Sequence, residues 1–144
     1  WNAWFRPRTP GELHWTTQAA HSGQRGAQLR GAEASCVLQS IPVKPGEMYL
    51  ASVYVRGNAS GQPESGLLIQ WQDAAGKWFS APKRGDRLPD DGSTDWVRLQ
   101  TFTTVPAGVG RLVFCITAYG QKPGESLEVD DASLRRLPQD SATP

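Results

Sequence analysis

The side chains best suited to chemistry stand in pairs two residues apart. Tyr54 and Arg56 end a run in which Tyr49, Ala51, Val53 and Val55 share one parity and Leu50, Ser52, Tyr54 and Arg56 the other. Period two is the signature of a strand with one buried face. The run therefore turns an aromatic ring and a planar cation toward solvent, a platform for a flat polar ligand. Gln70 and Gln72 repeat the spacing, as do Arg98 and Gln100, and Glu128 has the same outward parity. Amides and guanidinium groups form fork-like hydrogen bonds that match neighbouring hydroxyls. The plainer reading is a solvated sheet face, which carries the same residue types. Trp78, just after a hairpin turn, and Tyr119, ending a strand at a loop rim, are the rings best placed for exposure. Trp71 and Trp96 are expected in the core, and Trp4 and Trp15 in packing.

Other reactive side chains point to little. The only histidines are His14 and His21; Ser22 follows His21, but no nucleophile-elbow motif surrounds it. Asp90, Asp91 and Asp95 lie in a Gly/Pro/Asp stretch that nothing folds into an opposed carboxylate pair. The chain is expected to be non-catalytic. Asp130 and Asp131, with Glu125 and Glu128, supply the oxygen ligands that a calcium ion takes, or else solvated carboxylates at a kinked strand end. Cys36 and Cys115 form no C-x-x-C and have no adjacent histidine, which argues against zinc. They pair if the domain is secreted, or pack as two buried thiols.

The elements that must position these residues are short strands. The chain has 144 residues, with 15 Gly, 11 Pro and 38% hydrophobic residues, and no stretch has sustained helical periodicity. That is one domain's length, long enough for a real core. An extended segment over residues 1–20 precedes strands at Ala27–Gly31 and Ser35–Val43. Pro45-Gly46 turns the chain into the Tyr54 strand, which ends at Gly57. Asn58–Ser65 reads as a loop, Gly66–Asp73 as a strand, Asp73–Gly76 as a hairpin turn and Lys77–Ser80 as the start of its return. Pro82–Ser93 reads as a long loop. Asp95–Thr104, with a bulge or twist near Phe102, Arg111–Tyr119, and Leu127–Leu137, kinked at Asp130-Asp131, follow as strands. Residues 1–137 form the domain and residues 138–144 a polar tail or linker. Eight or nine strands at regular spacing predict an all-β antiparallel sandwich, a jelly roll. A net charge of +1 gives no electrostatic case for nucleic acid or an anionic membrane, and no run approaches a spanning helix. The chain opens on Trp1 with neither Met nor signal peptide, so it reads as part of something longer.

One ordered series of signals resembles a known group. It runs from His21-Ser-Gly23 through Ile41-x-Val-x-Pro-Gly-x-x-Tyr49-x-x-Ser52-x-Tyr-Val-Arg56 and Trp96-x-x-Leu99-x-x-Phe102 to Leu127-x-Val129-Asp-Asp131-x-Ser-Leu134. This resembles the β-sandwich carbohydrate-binding modules of families 4, 9, 16 and 22, over about Trp15 to Leu137. The resemblance implies a galactose-binding-domain-like jelly roll with a concave face for a polysaccharide or oligosaccharide. It implies that Tyr54 stacks on a sugar ring and that Glu128 and Arg30 bond hydroxyls. It also implies structural calcium at Asp130 or Asp131, although the acidic residue that in the family precedes the first tryptophan is absent. The expected setting is a secreted polysaccharide-active enzyme, with a catalytic domain of the same parent chain as partner. A sandwich that packs against such a neighbour without binding sugar is the alternative.

Overall fold

The structure is a computed structural model, and it describes residues 1–58, 65–89 and 93–139. Among the described residues, ten strands form two antiparallel five-stranded sheets packed face to face. Sheet A runs β1 (Asn2–Phe5), β4 (Ala34–Pro42), β9 (Arg111–Tyr119), β6 (Gly66–Gln72), β7 (Arg84–Arg87). Sheet B runs β2 (Glu12–Thr16), β3 (Gly26–Arg30), β10 (Ser126–Leu137), β5 (Met48–Gly57), β8 (Val97–Thr104). The all-β sandwich read from the sequence is the fold.

Alternating side chains build the core. Leu29, Ala51, Val53, Val55, Leu99, Leu127 and Val129 of sheet B meet Leu67, Ile69, Trp71, Leu112, Phe114 and Ile116 of sheet A. Trp71 is fully buried, with its Nε1–H donating to the Pro82 carbonyl at 3.1 Å, which pays for burying the indole N–H. The Pro45-Gly46 turn leads into β5 as expected, and Gly46 takes φ +88°, a value that glycine reaches without strain.

The kink in the last strand is a bulge. Tyr54 pairs with Asp130 and Ser52 with Ser133, so Asp131 and Ala132 face the single residue Val53. Asp131 adopts φ +52° there. The extra residue switches the parity: Leu127 and Val129 point inward before the bulge and Leu134 packs on the core after it.

Four expectations need correction. The N-terminal segment, read only as extended, carries two strands, one in each sheet. The span Pro82–Ser93 contains β7, an edge strand of Arg84-Gly-Asp-Arg87 with no apolar alternation to announce it. The return after Asp73–Gly76 shrinks to one bridge between Gln72 and Trp78. Of the bulge or twist expected near Phe102, the bulge is absent, because β8 pairs continuously with β5 from Val97 to Thr104.

Candidate functional site

The outer face of sheet B carries Tyr54, Arg56, Arg98, Gln100, Glu128 and Arg30. Its centre is occupied by the protein itself. Thr17–Ala19 forms a short 3-10 turn, capped by the Thr16 hydroxyl, and leads into the loop before β3. That loop lays the His21 ring on Tyr54, centroids 3.8 Å apart and planes within 13°. Tyr54 keeps its outward parity, but the ring face expected to hold a sugar is stacked by imidazole. Arg56 donates to Glu128 Oε2 at 2.7 Å and to the Gln18 carbonyl at 3.1 Å, and lies 4.7 Å over the Trp96 ring. Trp96, expected in the core, is therefore half-buried on this outer face, beneath Arg56 and edge-on to His21. Arg30, Arg98 and Gln100 are exposed around this cluster.

The clasp is completed at the bulge. Asp130 Oδ2 accepts the backbone N–H groups of His21 and Ser22, at 2.8 and 3.0 Å. Asp131 Oδ2 accepts from His21 Nδ1 at 2.8 Å and Asp131 Oδ1 from the Ser22 hydroxyl at 2.6 Å. The Ser22 hydroxyl, then His21, hold the Asp131 carboxyl below the ordinary carboxylate range. With Asp131 N–H on Asp130 Oδ1, all four carboxylate oxygens already have donors. Glu128 is taken by Arg56, and Glu125 Oε1 accepts from Lys122 N–H. This donor set does not fit calcium, and no group of three acidic, histidine or cysteine side chains among the described residues could hold a metal ion. Asp130 and Asp131, the residues the resemblance implies for calcium, here form a hydrogen-bonded latch.

Gln70, Gln72 and Tyr119 stand on the opposite side of the molecule, the outer face of sheet A, so the ten candidate ligand residues do not form one surface. Trp78 joins these three, because its bridge to Gln72 puts both on one face, and it is 62% exposed. The floor of this face is β9. Val113, Cys115 and Thr117 point outward yet are only 0%, 1% and 4% exposed, so the face is a hollow. Residues from flanking strands rise around it. Arg111 donates to Ser40 at Oγ and at the carbonyl, 2.8 and 3.1 Å, and Ser40 Oγ donates to Gln72 Oε1 at 3.1 Å. Gln70 Nε2 reaches only the weak acceptor Cys115 Sγ, at 3.7 Å. Gln70 Oε1 and Gln72 Nε2 have no protein partner among the described residues.

Sequence reasoning missed several residues of this face. Trp4, read as packing, pairs with Cys36 at the β1 edge and is exposed on the outward side. Lys83 and Arg87, placed in a loop, line the β7 edge of this face, whereas Arg84 has the inward parity of its partner Ile69. One hollow, about 410 Å3, is bounded by Leu68, Lys83, Arg87, Thr117 and Tyr119; a second, about 460 Å3, by Gln70, Trp78, Ser80 and Lys83. Both lie in the ordinary range for ligand sites, about 300–1,000 Å3. They follow one another along β6, whose seven residues span roughly 20 Å.

Cys36 and Cys115 sit diagonally on this floor, with Cys36 opposite Thr117 and Cys115 opposite Leu38, and both thiols are free. Burial pushes the Cys115 thiol up to about 12, Cys36 adds to the rise, and Lys83 opposes it. Burial also raises Cys36 and Tyr119. All three are neutral at pH 7.

The catalytic candidates are engaged elsewhere. His14 pairs with Glu12 at 2.8 Å on exposed β2, and His21 belongs to the clasp. Asp90 and Asp91 lie outside the described residues.

No protein-family model matches the chain, and no curated protein matches it. Solved structures do. A family 16 carbohydrate-binding module is 20% identical at TM-score 0.60, over 85% of this chain and 84% of that one. A module of family 61 in complex with β-1,4-galactotriose is 16% identical at TM-score 0.57, over 89% of each chain. The CBM22-1 and GH10 modules of endo-1,4-β-D-xylanase 10B from Clostridium thermocellum, complexed with xylohexaose, are 16% identical at TM-score 0.65, over 89% of this chain and 25% of that one. The chain shares the β-sandwich fold of carbohydrate-binding modules.

Proposed function

We propose that the domain is a non-catalytic carbohydrate-binding module whose ligand lies along β6 on the outer face of sheet A. The observation that carries this is the difference between the two faces. On sheet B, rings and charges are bonded to one another. On sheet A, Gln70 Oε1 and Gln72 Nε2, without protein partners among the described residues, stand beside the exposed ring of Trp78 over a buried floor. Sugar recognition asks for that pair of features: a ring for the C–H face of a pyranose and aimed donors and acceptors for its hydroxyls. The likeness in fold to modules solved with galactotriose and xylohexaose supports the class of ligand. The fold match covering a quarter of a xylanase chain supports an accessory role in a larger, secreted polysaccharide-active enzyme, where tethering raises local enzyme concentration on the polymer.

Calorimetry against a panel of soluble glycans tests this. Trp78→Ala and the pair Gln70→Ala/Gln72→Ala are expected to weaken the best ligand by about tenfold or more. Tyr54→Ala is expected to leave affinity within about twofold. Undiminished binding by the sheet A variants, with loss in Tyr54→Ala, would return the site to sheet B. Fusing the domain to a hydrolase should raise turnover of insoluble polymer without changing turnover of short oligosaccharides.

A further inference from the structure

The next inference rests on the sheet A reading and narrows its ligand. Gln70 and Gln72 stand on one face of β6, and each amide is held at one end only. The ends that are held are opposite in kind. Arg111 can only donate, and it gives its Nε–H to Ser40 Oγ at 2.8 Å and an Nη2–H to the Ser40 carbonyl at 3.1 Å. The Ser40 hydroxyl accepts there and passes its own proton on to Gln72, which meets it with Oε1 at 3.1 Å. The group that Gln72 leaves open is therefore Nε2, a donor. Cys115 does the reverse for Gln70. Its S–H is directed at the Val113 carbonyl, 3.9 Å away, so the sulfur receives Gln70 Nε2 at 3.7 Å. The group that Gln70 leaves open is Oε1, an acceptor. Neither open atom is sealed off, because no buried side-chain nitrogen or oxygen among the described residues lacks a partner. The face thus sets one fixed donor and one fixed acceptor beside the exposed ring of Trp78, whose bridge to Gln72 puts it in the same row. Val113 and Cys115 make the floor beneath them apolar, and Leu68 flanks Cys115.

We propose that this pair reads the acetamido group of a 2-acetamido sugar, with Arg111 and Ser40 as positioning residues. A hydroxyl is donor and acceptor at once and turns to suit either orientation of an amide. A glycan with hydroxyls alone therefore draws nothing from the two relays. An acetamido group lacks that freedom, since its carbonyl only accepts and its N–H only donates. Gln72 Nε2 meets the carbonyl and Gln70 Oε1 meets the N–H. The methyl rests on the apolar floor, and Trp78 packs on the pyranose. A flipped glutamine would set donor against donor or acceptor against acceptor and leave both unpaired.

The test is calorimetry with oligomer pairs that differ only at C2. One pair is the β-1,4-linked tetramer of N-acetylglucosamine against cellotetraose, and the other is that of N-acetylgalactosamine against β-1,4-galactotetraose. At least one acetamido oligomer should bind about tenfold tighter than its hydroxyl counterpart, and the pair that shows this identifies the epimer. Gln72→Glu exchanges the open donor for an acceptor at constant size and should abolish the preference. Gln70→Glu keeps an acceptor and should retain it. Ser40→Ala removes the proton that orients Gln72 and should cut the preference by about threefold or more, with Ser40→Thr restoring it. Equal binding within both pairs, a preference that the two glutamate variants change alike, or one indifferent to Ser40→Ala overturns the proposal. A hydroxyl oligomer, or another glycan of the wider panel, that binds and is weakened by Trp78→Ala would still leave the sheet A site standing. If no glycan binds at all, the sheet A reading falls as well.

Discussion

Replacing His21 with alanine removes the ring stacked on Tyr54 and a donor to Asp131 in one step. A stacked pair and a hydrogen bond to a carboxylate together suggest a cost of about 1–2 kcal/mol. Thermal unfolding should show this as a melting temperature several degrees lower, with glycan affinity unchanged. Asp131 adds a pH signature. Its folded carboxyl titrates below the ordinary value, so its contribution is complete above the unfolded pKa of about 3.9 and is lost as pH falls through the lower folded value. The melting-temperature gap between the unaltered protein and Asp131→Asn should be constant from pH 8 to 5 and close below about pH 4. At this scale the sequence was half legible. Outward parity was right for Tyr54, Arg56, Gln70 and Gln72, because alternation is local. That Tyr54 would be covered was not readable, since its cover comes from His21, 33 positions earlier by the numbering and held there by Asp131.

Strands were legible where one face is apolar and obscure where it is not. β5, β6 and β8 alternate, β9 is a continuous apolar run bounded by turns, and all four lie within a few residues of their expected bounds. β7 consists of three charged residues and a glycine, so only its pairing with β6 makes it a strand. That pairing depends on Gly85. Alanine there would push a Cβ into the Leu67 carbonyl, with backbone on both sides of the contact. Gly85→Ala should therefore detach the edge, speed hydrogen exchange at the amides β7 pairs with, and weaken glycan binding together with stability. The bulge in β10 was foreseen as a kink at Asp130-Asp131. Its effect on Leu134 was not, because parity after a bulge depends on how many residues it absorbs.

Which strands share a sheet is a property of the whole molecule, and that is where sequence reasoning failed for the site. Gln70 and Tyr54 have the same outward parity, yet β6 follows β9 in one sheet while β5 follows β10 in the other. Their outer faces look in opposite directions. The sandwich that separates them hinges on the core indole. Trp71→Ala should cost about 3–5 kcal/mol and lower the midpoint of denaturant unfolding for the entire domain.

The two cysteines give the groove a built-in witness. Cys36 is partly reachable by solvent on the outer face of sheet A, whereas Cys115 is sealed in the floor of that face. A polymer along β6 that also spans β9 would shield the first thiol, on β4, without touching the fold. Maleimide should therefore label Cys36 slowly in the empty protein and more slowly still under saturating glycan, with Cys115 silent in both. A chain bound on the far side would leave both rates alone, so alkylation timed by mass spectrometry reads which side is occupied in the unmutated protein.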